Sequence, residues 1–431
     1  MNSAVLLDIS RLIWRAHRKG PTGIDRVELA YAQHFIAGSS GRPAFAVLHL
    51  FGFLFAVSPA RGRRFVNGLA ARWEGSACAT RWANLRSITA LYWHLLGSAW
   101  HFGPRLRRAL RAHPGTPVFV VVSHHHLARG YTVERVQRTL GARTVCLIHD
   151  LLPIDYPEYF KRGWERRYRR LAGNVGRGFD AVIANSESTA RSLRACLQSD
   201  TQVVSALRPT VRTAQLGVRA FPRTDSASPA AARRPYFVVL GTIEPRKNHL
   251  LLLNLWTRLA SAVPETPRLM VIGARGWENE QVVDMLERSC RLRGLVEEHN
   301  GLSDGDVGAL LHGARALLLP SLAEGFGLPL AEALASGVPA ICSDIPVFRE
   351  VGRDVPEYLD PLDLGAWSDA VLDYRASDSP RRREQLARLQ LWRAPAWVNH
   401  FTVVEQLLRE LNSKQRPMLV PSEQPTVPAN S

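Results

Sequence analysis

The stretch from Ala314 to Asp344, ARALLLPSLAEGFGLPLAEALASGVPAICSD, leaves a chain little freedom in how to fold. Arg315 to Pro320 is a short apolar run bounded by Pro and Ser, the pattern of a strand covered on both faces. Ser321 to Gly327 carries two glycines, so backbone N–H groups can approach a ligand with no Cβ in the way. Leu328 to Ser336 reads as a helix, with Pro329 near its first position and Gly337 just past its end. Pro339 to Cys342 reads as the next strand. A helix N-terminus of this kind offers unpaired N–H donors and the positive end of the helix dipole to a ligand's oxygens. Two carboxylates stand eight positions apart, Glu324 in the loop and Glu332 in or just after the first helical turn.

The same alternation runs through the whole chain. Val/Ile/Leu runs predict strands at Ala4–Ile9, Phe45–Leu50, Val118–Val122, Val145–Ile148 and Ala181–Ala184 in the first half. In the second half they predict Tyr236–Leu240, Leu269–Ile272, Ala316–Leu319 and Pro339–Cys342. Helical stretches between them give an α/β chain with parallel sheets. Ala220 to Arg234 is rich in Pro, Ser and Ala and reads as a connection. The division expected is a first domain over 1–222, a linker over 223–234 and a second domain over 235–390. A helical segment over 391–413 is expected to cross back to the first domain, and a polar, disordered tail to follow over 414–431.

Charge is distributed unevenly. Residues 1–225 hold 33 Lys and Arg against 13 Asp and Glu, an excess of 20, while residues 226–431 hold 22 against 25. A one-sided basic surface attracts anions. No RNP, KH or helix-turn-helix pattern accompanies it, so the reading favours a membrane surface over nucleic acid. Two stretches combine aromatic residues with arginines, Ile88–His113 and Tyr159–Arg177, as a helix lying on an anionic bilayer would. The five cysteines are scattered with no C-x-x-C pair, against both a disulfide framework and a zinc site and in favour of a reducing compartment. Asp8 and Arg11 interrupt what would be a signal sequence, and no uncharged apolar stretch reaches about 18–20 residues. Ala44 to Pro59, the longest apolar candidate, reads as a buried strand and its turn. The expected location is the cytoplasm, free or peripheral on the inner face of a membrane.

Glu324 and Glu332, with the flanking PSLAEGFGLPLAEALASGVPAICSD, resemble the E-x7-E motif of retaining glycosyltransferase family 4. The resemblance implies the GT-B fold: two doubly wound Rossmann-like domains facing across a cleft. It implies a nucleotide-sugar donor, linked to GDP or UDP, with Glu332 on the ribose and Glu324 on the sugar ring. Tyr236–Gly241 followed by TIEPRKNH resembles the family's first strand and loop of the nucleotide domain. Arg246, with its planar fork, and Lys247, a compact charge, would hold the diphosphate and stabilise the charge that grows as the sugar leaves. By the same resemblance Gly241, Gly273, Gly325, Phe326, Gly327 and Leu328 line the donor site. Asp304-Gly305-Asp306 looks like a D-x-D metal motif, but Ser303 before it and Asp306 three positions on read as a helix cap. No metal and no cofactor are expected.

On the first-domain side, His149-Asp150 ends a predicted strand, the edge where ligands bind in open α/β sheets. The pair resembles the I-H-D-x-x-P element of the mannosyltransferase-like branch, which implies that His149 contacts the donor sugar and Asp150 orients it or meets the acceptor. Pro21-Thr22-Gly23 resembles the family's first-domain glycine loop, placing Gly23 across from the diphosphate. Asn185-Ser186 resembles its helix start after the last strand. His124 or His125, at the end of Val118–Val122, is expected to line the cleft toward the acceptor. The resulting expectation is a retaining hexosyltransferase of surface polysaccharide biosynthesis. Its donor would be GDP-mannose and its acceptor a saccharide or a polyprenyl-diphosphate-linked saccharide. The alternatives are a GT-B phosphorylase or epimerase, or a basic scaffold without activity.

Overall fold

The computed structural model describes residues 3–18, 20–50, 53–73, 104–125, 127, 131–200, 208–222 and 234–413. Residues 88–103, most of the expected linker and the C-terminal tail lie outside them.

Two sheets organise the chain. The first contains β1 (Val5–Asp8), β2 (Ala44–Leu50), β3 (Phe53–Ala56), β4 (Val118–Val121), β5 (Arg143–Ile148), β6 (Ala181–Ala184) and β7 (Thr210–Thr213), in the order β3-β2-β1-β4-β5-β6-β7. All neighbours are parallel except β2 and β3, which form an antiparallel pair. The apolar stretch from Ala44 is therefore two strands and not one strand with its turn. The second contains β8 (Tyr236–Leu240), β9 (Arg268–Ile272), β10 (Val296–His299), β11 (Leu317–Leu319), β12 (Ala340–Ser343) and β13 (Glu357–Leu359), in the order β10-β9-β8-β11-β12-β13, parallel throughout.

The apolar runs are continuous because both faces of each sheet are covered. Along β1, Val5 and Leu7 enter one hydrophobic cluster while Leu6 enters another on the opposite face. Along β8, Tyr236 and Val238 face one cluster, and Phe237 and Val239 the other. Both domains are thus doubly wound, and together they form the GT-B arrangement.

The helices that matter for the cleft are α1 (Ser10–Arg15), α2 (Gly23–Phe35), α3 (Trp164–Gly178), α4 (Glu187–Ser199), α5 (His249–Ala262), α6 (Asp304–His312), α7 (Leu328–Ala335), α8 (Pro346–Gly352) and α9 (Trp397–Ser413). Helix α9 places Phe401, Val404, Leu408 and Leu411 on one stripe, and these pack into the cluster that holds Val5, Leu7 and Val120 of the first sheet. His400 on the same helix is bonded to the Tyr31 hydroxyl at 2.8 Å.

Both sheets present the C-terminal ends of their strands to one cleft, and several bonds tie its walls together. The Ser186 and Thr189 hydroxyls donate to the Gly325 carbonyl at 2.7 and 3.2 Å. Glu350 of α8 accepts the Glu187 N–H at 2.9 Å, so a second-domain carboxylate caps the first turn of α4. On the opposite rim, Trp277 donates to the Tyr159 carbonyl at 3.2 Å and its ring meets Trp164 at 5.3 Å. The rings of Phe160, Trp164 and Tyr168 are therefore engaged in packing within the protein. Lys161, Arg162, Arg166, Arg167, Arg169 and Arg170 are exposed. The stretch read as aromatic and basic offers solvent its cations, while these rings face inward.

Candidate active site

A cavity of about 540 Å³ lies between the two sheet edges. On its second-domain wall, Pro245–Lys247 forms one helical turn after β8 and brings two cations beneath the Ser321–Gly327 loop. Glu324 Oε2 accepts from Arg246 Nη1 at 2.6 Å; Oε1 accepts from the Ser321 hydroxyl at 2.9 Å and from the Lys247 ammonium. Arg246 Nη2 also pairs with Glu244 at 2.6 Å. Burial acts to raise the Glu324 carboxyl, but Arg246 and Lys247 outweigh it and hold the group at about 2. Glu324 is therefore not the free loop carboxylate its position in the chain suggests. Three of its roughly four lone-pair sites are filled, and the one left is on Oε2.

Glu332 differs in every respect. It sits just after the first turn of α7, lines the same cavity, and has no side-chain hydrogen bond to any described residue. Burial pushes its carboxyl up to about 7, with Arg26 pulling it down and Asp304 pushing it further up.

The glycines allow the walls to meet. A Cβ on Gly273 would lie 1.9 Å from the Gly241 carbonyl oxygen, so the ends of β8 and β9 pack backbone on backbone. A Cβ on Gly325 would lie 2.5 Å from the His149 carbonyl oxygen. Gly23, Gly241, Gly273, Gly325, Phe326, Gly327 and Leu328 all line the cavity. Phe326 additionally inserts its ring into the first-domain hydrophobic cluster.

On the first-domain wall, His149 Nε2 is 2.8 Å from the Val122 carbonyl, which can only accept, so Nε2 carries the proton and Nδ1 is the acceptor of this cavity-lining ring. Burial lowers His149 to about 3, so the imidazole is neutral. Asp150 also lines the cavity; burial raises its carboxyl, opposed mainly by Arg246. Asn185, in the stretch read as a helix start that also lines the cleft, lines the cavity as well and donates to the His149 carbonyl at 2.8 Å.

His124 and His125 do not line this cavity. The chain turns after Val122, so the consecutive histidines diverge: His125 is exposed, and His124 Nε2 accepts the backbone N–H of His149 at 3.0 Å. His124 buttresses the strand end that carries His149. Asp304 and Asp306 are likewise parted. Asp306 completes a capping box with Ser303, whereas Asp304 accepts from Arg26 of α2 at 2.6 Å across the cleft. Arg26 and Asp304 carry no sequence signal as a pair, because 278 positions separate them. Among the described residues, no His, Cys, Asp or Glu cluster is arranged to hold a metal ion.

Comparison with known proteins agrees with this geometry. Residues 221–357 match the model for glycosyl transferases group 1, and residues 54–213 match that for Glycosyltransferase Family 4. Each half of the chain therefore matches a glycosyltransferase family model. The Escherichia coli serotype-specific mannosyltransferase WbdA is 29% identical over 259 residues, covering 57% of this chain and 32% of WbdA. The O-antigen chain mannosyltransferase B of Escherichia coli is 34% identical over 167 residues, covering 39% of this chain and 44% of that protein. The chain thus spans less than half the length of these two relatives. Among solved structures, sucrose-phosphate synthase from Thermosynechococcus elongatus superposes with a TM-score of 0.60 at 15% identity, over 95% of this chain and 99% of that one. Anabaena HepE, in complex with UDP and glucose, gives 0.60 at 14% identity over 96% and 100%. At such identities the likeness establishes the fold, which is GT-B.

Proposed function

We propose that this protein is a retaining glycosyltransferase. It moves a hexose from a nucleotide sugar to a hydroxyl of a saccharide or lipid-linked saccharide in surface polysaccharide biosynthesis. The observation that carries this reading is one cavity with two cations, the half-buried Arg246 and the buried Lys247, on its wall and an unpartnered carboxylate, Glu332, lining it as well. A nucleoside diphosphate has the complementary chemistry, anionic oxygens joined to a ribose diol.

Arg246 and Lys247 receive the diphosphate and stabilise the charge that develops on its bridging oxygen, with the N-terminus of α7 adding its dipole. Glu324 keeps both cations in place through its bonds to them, and its remaining Oε2 lone pair meets a sugar hydroxyl. His149 Nδ1 accepts from another, and Asp150 orients the sugar or the incoming acceptor. With Glu324 occupied by its cations, attack on the donor face that the leaving group vacates is the reading, and the departing phosphate takes the acceptor's proton. Closure of the two domains excludes the water that would otherwise hydrolyse the donor.

The names of the relatives and the His149–Asp150 pair favour mannose carried by GDP. The exposed arginines and Lys161 along Lys161–Arg170 favour an anionic membrane surface as the place where a lipid-linked acceptor is met.

Calorimetric titration of GDP, UDP and their mannose and glucose conjugates, with Glu332→Ala alongside, tests the donor site. Selective binding weakened by about 1–3 kcal/mol in the variant is expected, the cost of a lost partner for a buried polar group. Binding by none of the four would overturn the reading. The anomeric configuration of the product, read by NMR, tests retention.

A further inference from the structure

Arg26 and Asp304 line the donor cavity, and they also line a second cavity of about 340 Å³ behind it, together with Glu332 and Leu328. The second cavity is walled by Trp73, Trp397 and Phe221. The ion pair therefore stands at the boundary of the two chambers and links α2 of the first domain to α6 of the second at 2.6 Å. Both partners are about a third exposed, 34% and 40%, so the link can open and close without unfolding either helix. Arg26 follows Gly23-Ile24-Asp25 on the first turns of α2, and a Cβ on Gly23 would lie 2.9 Å from Leu328 of α7, so this helix end and the glutamate helix meet here.

We propose that Arg26 and Asp304 form an interdomain clasp that closes the cleft over the bound nucleotide and positions Glu332 for the ribose. The inference rests on the donor-site reading of Glu332 and deepens it by giving the first domain a part in nucleotide binding.

The charged groups facing Glu332 are Arg26 from α2 and Asp304 from α6. Asp25 also faces Arg26, but its own charge is met by Arg11 at 2.8 Å and Arg15 at 3.0 Å. Arg26 thus acts on Glu332 in two ways. Through Asp304 it brings the domains together, and through its own charge it favours the ionised carboxylate, the form that accepts two hydroxyl hydrogens. Burial pushes Glu332 the other way and outweighs Arg26, leaving the carboxyl at about 7. A carboxyl with a raised value is protonated below it, so nucleotide affinity falls as pH drops through 7 and is complete above it.

Removing Arg26 moves that transition to higher pH, and removing Asp304 moves it to lower pH, although both substitutions open the clasp. Such shifts follow from charge alone, so nucleotide-induced compaction is the readout that separates a clasp from an ion pair acting on Glu332 only through its field.

The experiment is titration of GDP and UDP from pH 6 to 9 into the wild type, Arg26→Gln, Arg26→Lys and Asp304→Asn, with small-angle scattering to read closure. At pH 9 Glu332 is ionised in every protein, and Arg26→Gln and Asp304→Asn are each expected to bind about threefold more weakly, the scale of one partly exposed pair. At pH 7 Arg26→Gln is expected to lose about tenfold, with its midpoint displaced upward, and Asp304→Asn to show a midpoint displaced downward. Arg26→Lys recovers most of the affinity, and nucleotide-induced compaction is reduced in both opened variants. If the wild type binds a nucleotide and Arg26→Gln matches it in affinity, midpoint and compaction, the clasp is wrong and the donor site stands. If the wild type binds neither nucleotide, the donor-site reading falls and the clasp with it.

Discussion

Glu324 and Glu332 show how two residues of one type, eight positions apart, are driven to opposite behaviour by their surroundings. Glu324 is ionised because two cations face it; Glu332 is held near neutrality because burial outweighs its single cation. Each makes a different prediction. Glu324→Ala strands the buried Lys247 and leaves Arg246 to Glu244, and is expected to cost about 3–5 kcal/mol by denaturant titration, with activity lost. Glu332→Gln is expected to stabilise the ligand-free protein. Between pH 4.5 and 7 the folded protein holds a proton on Glu332 that the unfolded chain has released, so this group's contribution to stability declines as pH rises through that window. At pH 8 the variant should gain about 1–2 kcal/mol in thermal unfolding while binding nucleotide more weakly.

Among the elements, the loop before α7 brings the backbones of the two domains close together. Gly325→Ala would drive a Cβ into the His149 carbonyl and toward Asp150, whose Cβ would be 2.9 Å away. The walls must then part by a fraction of an ångström, and misplacement on that scale can cost about 100-fold in rate. Steady-state kinetics should show that loss with little change in melting temperature, because each domain keeps its own core. Helix α9 poses the converse test. Phe401 stacks on His34 with centroids 3.8 Å apart and fills the first-domain cluster, so Phe401→Ala is expected to cost about 3–5 kcal/mol.

The strands themselves show where sequence patterning succeeds. All nine predicted strands form, and the four not foreseen, β3, β7, β10 and β13, are the edges of the two sheets. Three of these, TVRT, VEEH and EYL, lack the continuous apolar run because an edge strand is only half covered. The fourth, FLFA, is apolar but follows β2 so closely that the two read as one segment.

For the molecule as a whole, the excess positive charge of the first half is the property with the longest reach. If the exposed cations of residues 161–170 hold the protein on an anionic bilayer, reversing Arg162, Arg166 and Arg170 to Glu should abolish sedimentation with anionic vesicles, each cation contributing about 1 kcal/mol near the surface. Salt at about 0.5 M should do the same to the wild type, since it shortens the screening length to a few ångströms. Sedimentation that survives both treatments would assign attachment to another part of the chain. Catalysis on a soluble acceptor should be unaffected by the reversal, as none of the three residues lines the cavity.

The sequence by itself determined what is local. Apolar runs with a period of strands and helices specified the parallel core of each sheet, and the loop-helix unit around Glu324 and Glu332 specified a strand, a glycine loop and a helix start, because hydrogen-bonding and burial patterns of that kind are written within a few turns of chain. Ser303 and Asp306 could be read as a cap for the same reason. Only the tertiary structure decided what depends on residues far apart. It gave Glu324 to Arg246 and Lys247, turned His124 from the cleft to the support of His149, and separated Asp304 from its neighbour to meet Arg26. Those outcomes rest on electrostatics and packing between domains, which fall off over a few ångströms of space and take no account of distance along the chain.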